Sequence, residues 1–181
     1  MIAPALLYDH PGGAILSEIL PGERFDLLEL TSTHGWGVSA ADGAVGYVCA
    51  KALGEGDITA PPTPLAPDPA AAAETLLDVP AKPGGRSAAG LDSDGLIFLA
   101  LRMAGIEAPR FLDLQALTLG AELPEGTPHA RGDLLFFEDH AAILVDPGTA
   151  IHVGDDGVVR EALAAIVDGR YGAPAAWRRL A

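Results

Sequence analysis

Three residues in the second half of the chain have types and positions that suit nucleophilic chemistry: Ser93, His140 and His152. Ser93 offers a hydroxyl where an apolar run is about to begin. His140 opens one apolar stretch, His140-Ala-Ala-Ile-Leu-Val, and His152 sits inside the next, Ala150-Ile-His-Val. A nucleophile, a base and a polar group that orients the base form the logic of a triad. Each residue also has a plainer reading. A serine at a helix start is usually an N-cap, and a lone strand histidine is usually a satisfied core or surface group. Spacing alone leaves both readings open.

The elements that must position these residues centre on Gly84 to Gly105. A glycine-rich loop leads through Asp92-Ser93-Asp94 into Leu96 to Ala104, apolar on nearly every side except at Arg102. A helix apolar all round must be buried. Its N-terminus, with outward backbone N–H groups, favours negative charge near Ser93. Ahead of it, Asp68-Pro69 predicts a capped helix running to about Val79-Pro80. After it, Gly105 and Pro109 predict the stop, and 110–119 a second helix carrying Gln115. A loop is expected over 123–131, strands over 133–137, 140–145, 150–153 and 158–161, a short helix over 161–167 and a last strand over 176–180. Helices followed by an antiparallel sheet make an α+β domain.

Residues 1–53 read differently. Short strands near 6–8, 14–16, 24–30, 37–39 and 45–48 alternate with turns such as His10-Pro-Gly-Gly, Pro21-Gly22 and Asp42-Gly43, which suggests a small barrel. The order of these signals resembles bacterial SH3-type domains. Trp36 and Tyr47 are candidates for a ligand groove or for barrel core, and Cys49 is expected to be a small buried hydrophobe. The proline-rich stretch 54–69 is a semi-rigid spacer, so the expected domains are 1–53 and 70–181.

The 181 residues are 49% hydrophobic and 20% charged, which is globular rather than disordered. A net charge of -14 argues against nucleic acid and anionic membranes as partners. One cysteine excludes an internal disulfide and a thiolate metal site. No cluster has metal-ligand spacing, so no metal or organic cofactor is expected. The N-terminus lacks a secretory pattern, and no apolar run is long enough to span a membrane. The expected location is cytoplasmic, with the cell envelope open by a route the sequence does not show.

From about Ala70 onward the chain resembles the NlpC/p60 family of papain-like cell-wall peptidases. The matching stretches are Gly84-Gly-Arg-Ser, Gly90-Leu-Asp-Ser-Asp-Gly-Leu, Ala108-Pro-Arg110 with Gln115, Arg131-Gly-Asp-Leu-Leu-Phe-Phe, His140-Ala-Ala-Ile-Leu and Ile151-His152. An SH3-type module ahead of the domain fits the same resemblance. It implies a cysteine nucleophile, a histidine base and a third polar residue; on this chain those positions are Ser93, His140 and His152. It further implies hydrolysis between γ-D-glutamyl and a diamino acid in peptidoglycan stem peptides, with a free L-alanine amine that Asp92 would suit. Asp92, Asp94, Arg110 and Trp36 are the expected substrate-binding residues.

The departures from the family pattern weigh as much. Asp-Cys-Ser-Gly is here Asp92-Ser93-Asp94-Gly95, and Pro-Tyr-x-Trp-Gly-Gly is Pro80-Ala81-Lys82-Pro83-Gly84-Gly85. A serine ionises far less readily than a thiol at a helix N-terminus, and Asp94 adds a like charge that opposes an anion there. One cause covering four positions favours a degenerate domain that binds a stem peptide or a protein partner. The alternatives are an active γ-D-glutamyl-L-diamino-acid endopeptidase in which Ser93 replaces an original cysteine, and a purely structural protein.

Overall fold

The computed structural model describes residues 4–56, 63 and 65–180. They divide into two compact units: 1–63 with 83–85, and 64–82 with 86–181. Residues 57–62 and 64 of the expected spacer lie outside the described residues.

In the first unit, β1 (Ala5–Tyr8), β2 (Ile15–Ile19), β3 (Phe25–Leu30), β4 (His34–Ser39) and β5 (Val45–Cys49) make one antiparallel sheet in the order β2-β1-β5-β4-β3. All five predicted strands are present, β2 and β4 longer than predicted. Leu7, Ala44 and Val48 are buried. Trp36 and Tyr47 face each other across β4 and β5, each half-buried. Cys49 is exposed, not buried as expected. Strand alternation gives the reason: Val48 points inward, so its neighbour points out.

The second unit opens with α1 (Pro69–Thr75). The Asp68 carboxylate accepts from the Ala71 N–H at 2.7 Å, and Pro69 takes the first helical position. The helix stops before the expected Val79-Pro80 because the chain is drawn into extension. The Asp78 N–H donates to the Val158 carbonyl at 3.0 Å, and the Val158 N–H returns to Val79 at 2.8 Å. Asp78 makes the turn at φ +65°, which aspartate tolerates. A two-residue hairpin that the sequence did not announce, β6 (Arg86–Ser87) and β7 (Gly90–Leu91), then leads into α2 (Ser93–Met103).

Leu96, Ile97, Ala100 and Leu101 of α2 are fully buried, each large side chain contributing about 1.5–3 kcal/mol. The exception, Arg102, lays its guanidinium 5.3 Å from the Phe98 ring centroid, a cation–π contact that lets the charge sit beside the apolar helix. Gly105, at φ +75°, provides the left-handed residue that ends the helix. Then come α3 (Leu112–Thr118), β8 (Ala121–Glu122), β9 (Leu134–Phe136), β10 (Ala141–Asp146), β11 (Thr149–Val153) and β12 (Val158–Ala162). The short helix expected over 161–167 is α4 (Leu163–Ala165), which widens into a turn at Ile166–Arg170 before β13 (Ala176–Arg179).

The strands form an antiparallel sheet in the order β12-β11-β10-β9-β13-β8. Alternation divides its side chains between two faces. Leu134, Phe136, Ala141, Ile143 and Ile151 pack with α2. Leu135, Phe137, Ala142, Leu144 and Ala150 pack with Ile166, Leu163, Tyr171 and Trp177 on the other face. The architecture is α+β with a central helix on an antiparallel sheet, as expected from the sequence.

Candidate active site

Asp92, not Ser93, caps α2: its carboxylate accepts from the Gly95 N–H at 2.7 Å. That leaves the Ser93 hydroxyl free for other partners at the first helical position. Its Oγ accepts from the Ala141 N–H at 2.6 Å and lies 3.1 Å from His140 Nδ1. The Ala141 carbonyl is a second acceptor for its proton, at 3.3 Å. Ser93 is half-buried, whereas His140 and His152 are 5% and 3% exposed.

The sheet register brings the histidines together. Ala142 pairs with His152, so His140, two residues before Ala142, falls diagonally across from His152 on the same face. His140 Nε2 is 3.0 Å from His152 Nδ1. The line continues to a residue that the sequence reading did not single out: His152 Nε2 is 3.0 Å from Glu161 Oε2. Val159 pairs with His152, and Glu161 lies two residues on, on the same face of β12. That parity is the signal in the sequence, masked because 161 also falls where the expected strand gives way to the expected helix.

Tyr171 is the second residue missed. Its ring lies flat on His140, with centroids 3.8 Å apart and planes within 5°, and meets His152 edge-on. It arrives from the turn after α4, so no local periodicity marks it. Burial first, then the charges of His152 and Arg170, push His140 down to about 3. The imidazole is therefore neutral at pH 7 and able to accept a proton at its unprotonated nitrogen.

Below the nucleophile position, charge is held in place. Arg110 is fully buried and donates to Asp92 Oδ2 at 2.6 Å, with Asp94 at 3.9 Å. Asp94 accepts from the Leu112 N–H at 3.0 Å, serving the start of α3, which has no side-chain cap of its own. Burial and then the adjacent Asp92 carboxylate push the Asp94 carboxyl up from its ordinary value, with Arg110 opposing. Buried Gln115 donates to the carbonyls of Asp94 and Pro109 at 3.0 and 2.9 Å. The structure thus gathers Ser93, His140, His152, Asp92, Asp94 and Arg110, while Trp36 belongs to β4 of the first unit. Among the described residues, no group of three or more His, Cys, Asp or Glu could hold a metal, and no helix is long and apolar enough to cross a membrane.

A hydroxyl at a helix N-terminus, a neutral imidazole against it and a second imidazole behind are the group types that acyl transfer calls for. The family model described as NlpC/P60 family matches residues 79–171, more than half of the chain. The chain belongs to the NlpC/P60 family. A second model, described as bacterial dipeptidyl-peptidase Sh3 domain, matches residues 7–53. No curated protein matches the chain.

Solved structures share the NlpC/P60 fold. NlpC2 from Trichomonas vaginalis is 18% identical, with a TM-score of 0.52 over 98% of this chain and 70% of that one. An NlpC/P60 family protein from Bacillus cereus ATCC 10987 is 24% identical, with a TM-score of 0.54 over 97% of this chain and 60% of that one. The NlpC/p60 domain of the peptidoglycan hydrolase SagA is 22% identical, with a TM-score of 0.51 over 62% of this chain and 96% of that one.

Proposed function

We propose that this NlpC/P60 chain binds a peptidoglycan stem peptide at the Ser93–His140 site and hydrolyses it slowly or not at all. Ser93 takes the nucleophile position, His140 is the base and His152 orients it. The alignment of Ser93, His140 and His152 at 3.1 and 3.0 Å carries this reading. Turnover requires Ser93 Oγ to attack the peptide carbonyl carbon while its proton passes to His140 Nδ1. The imidazolium then returns that proton to the departing amine.

The proton transfer is the weak link. A thiol of pKa about 8.5 gives up its proton readily at a helix N-terminus beside an imidazole. Thiolate and imidazolium then stabilise each other. A hydroxyl gains little from a base held neutral down to about pH 3. The geometry of a hydrolase is therefore kept with a nucleophile poorly matched to it.

Asp92 and Arg110 brace the helix start. A substrate amine at Asp92 shares that carboxylate with Arg110 and the Gly95 N–H. The proposed organisation is an SH3-type module over 1–53, a spacer over 54–69 and the site-bearing domain over 70–181. The aligned relay also favours a second reading, an active γ-D-glutamyl-L-diamino-acid endopeptidase, with Ser93 sufficient as nucleophile or standing for a cysteine. A ligand drawn from peptidoglycan points to the cell envelope or to recycled wall fragments.

Calorimetric titration with L-Ala-γ-D-Glu-diaminopimelate, with products read by mass spectrometry, tests the reading. Saturable binding with the peptide recovered whole supports the binding module. Rapid cleavage establishes the second reading instead. A folded chain that neither binds nor cleaves removes both.

A further inference from the structure

The proton arrangement along the relay is set from its outer end. A carboxylate has only acceptor sites. Glu161 Oε2, 3.0 Å from His152 Nε2, therefore requires the proton of His152 to be on Nε2. His152 Nδ1 is then unprotonated and must accept, and its neighbour at 3.0 Å is His140 Nε2. That nitrogen must donate, which leaves His140 Nδ1 bare toward Ser93 Oγ at 3.1 Å. A neutral imidazole carries one N–H and one acceptor, and the bond made at one nitrogen decides the state of the other. With a donor in place of Glu161 the whole chain would run in reverse, with a proton on His140 Nδ1 and no base facing Ser93.

We infer that Glu161 is a positioning residue that, acting through His152, fixes the tautomers of both imidazoles and keeps His140 Nδ1 free to take the proton of the nucleophile. The inference rests on the acyl-transfer reading of the site and adds to it the group that sets its direction. Position 161 suits this role. It lies on the edge strand β12, with a side chain 44% exposed, so the carboxylate stays solvated while its oxygen reaches the buried His152. Tyr171, flat on His140, keeps the ring in the plane that the relay needs.

The test is long-range 1H–15N correlation of the imidazoles in the uniformly labelled full chain at pH 7.5. Both rings are expected as the Nε2–H tautomer. Glu161→Lys replaces the acceptor by a donor, and Glu161→Ala removes it. Across the pair, Nδ1–H is expected to appear on His152 and His140, with far-UV circular dichroism unchanged. An Nδ1 proton on either ring of the unaltered chain overturns the inference, as do unchanged tautomers in both variants. This readout needs no turnover. Correct tautomers in a chain that cleaves nothing even as Ser93→Cys would sink the hydrolase chemistry and leave the role of Glu161 standing.

Discussion

Acidification tests how firmly the fold holds His140 neutral. Burial and the nearby charges hold its folded-state pKa at about 3, against about 6.5 for an unfolded histidine. Between those values the unfolded chain binds a proton that the folded chain refuses. Stability therefore rises with pH across the window and is lost as pH falls from about 6.5 toward 3. The whole window spans about 3.5 pH units, or about 5 kcal/mol at 1.36 kcal/mol per unit. At pH 4.5 about two units have been crossed, so about 3 kcal/mol is lost relative to pH 7.5. Urea unfolding at both pH values, for the unaltered chain and for His140→Gln, isolates this contribution. The unaltered chain is expected to lose about 2–3 kcal/mol more than the variant over the interval. Equal losses, or an NMR titration of His140 with a midpoint near 6.5, would refute the buried neutral base.

Two substitutions examine the supports of the site. Asp92→Asn keeps an oxygen for the Gly95 N–H but removes the charge that meets buried Arg110. It should destabilise by about 3 kcal/mol, and Asp92→Ala by about 1 kcal/mol more through the lost cap; equal urea midpoints for the two would remove the capping role. Tyr171→Leu takes away the ring stacked on His140. It should cost about 1 kcal/mol and let the pKa of His140 rise toward its ordinary value as water reaches the ring, which an NMR titration reads directly.

Much of this arrangement was legible because local rules and global packing agree. The all-apolar face of α2 could only be buried, and Asp68-Pro69 carries its own cap chemistry. Alternating strands separated by Asp-Gly and Pro-Gly turns gave the antiparallel sheet. His140 and His152 were placed at strand positions whose register then joined them. What stayed hidden depends on contacts between distant segments. The early stop of α1 follows from hydrogen bonds of Asp78 and Val79 with Val158, which no local propensity encodes. Tyr171 reaches His140 from an irregular turn, and Asp94 caps a helix eighteen residues away rather than standing bare beside the nucleophile. For Cys49 residue type points inward, whereas strand parity, which decides, turns it outward.

The central claim is that the relay behind position 93 is intact and that the hydroxyl limits it. The measurement that tests it most directly is cleavage of L-Ala-γ-D-Glu-diaminopimelate by Ser93→Cys beside the unaltered chain, read by mass spectrometry. The account predicts cleavage at the γ-D-glutamyl bond by the cysteine variant, abolished again by His140→Ala, with little or none from the unaltered chain. Intact peptide after incubation with a folded Ser93→Cys chain would contradict it.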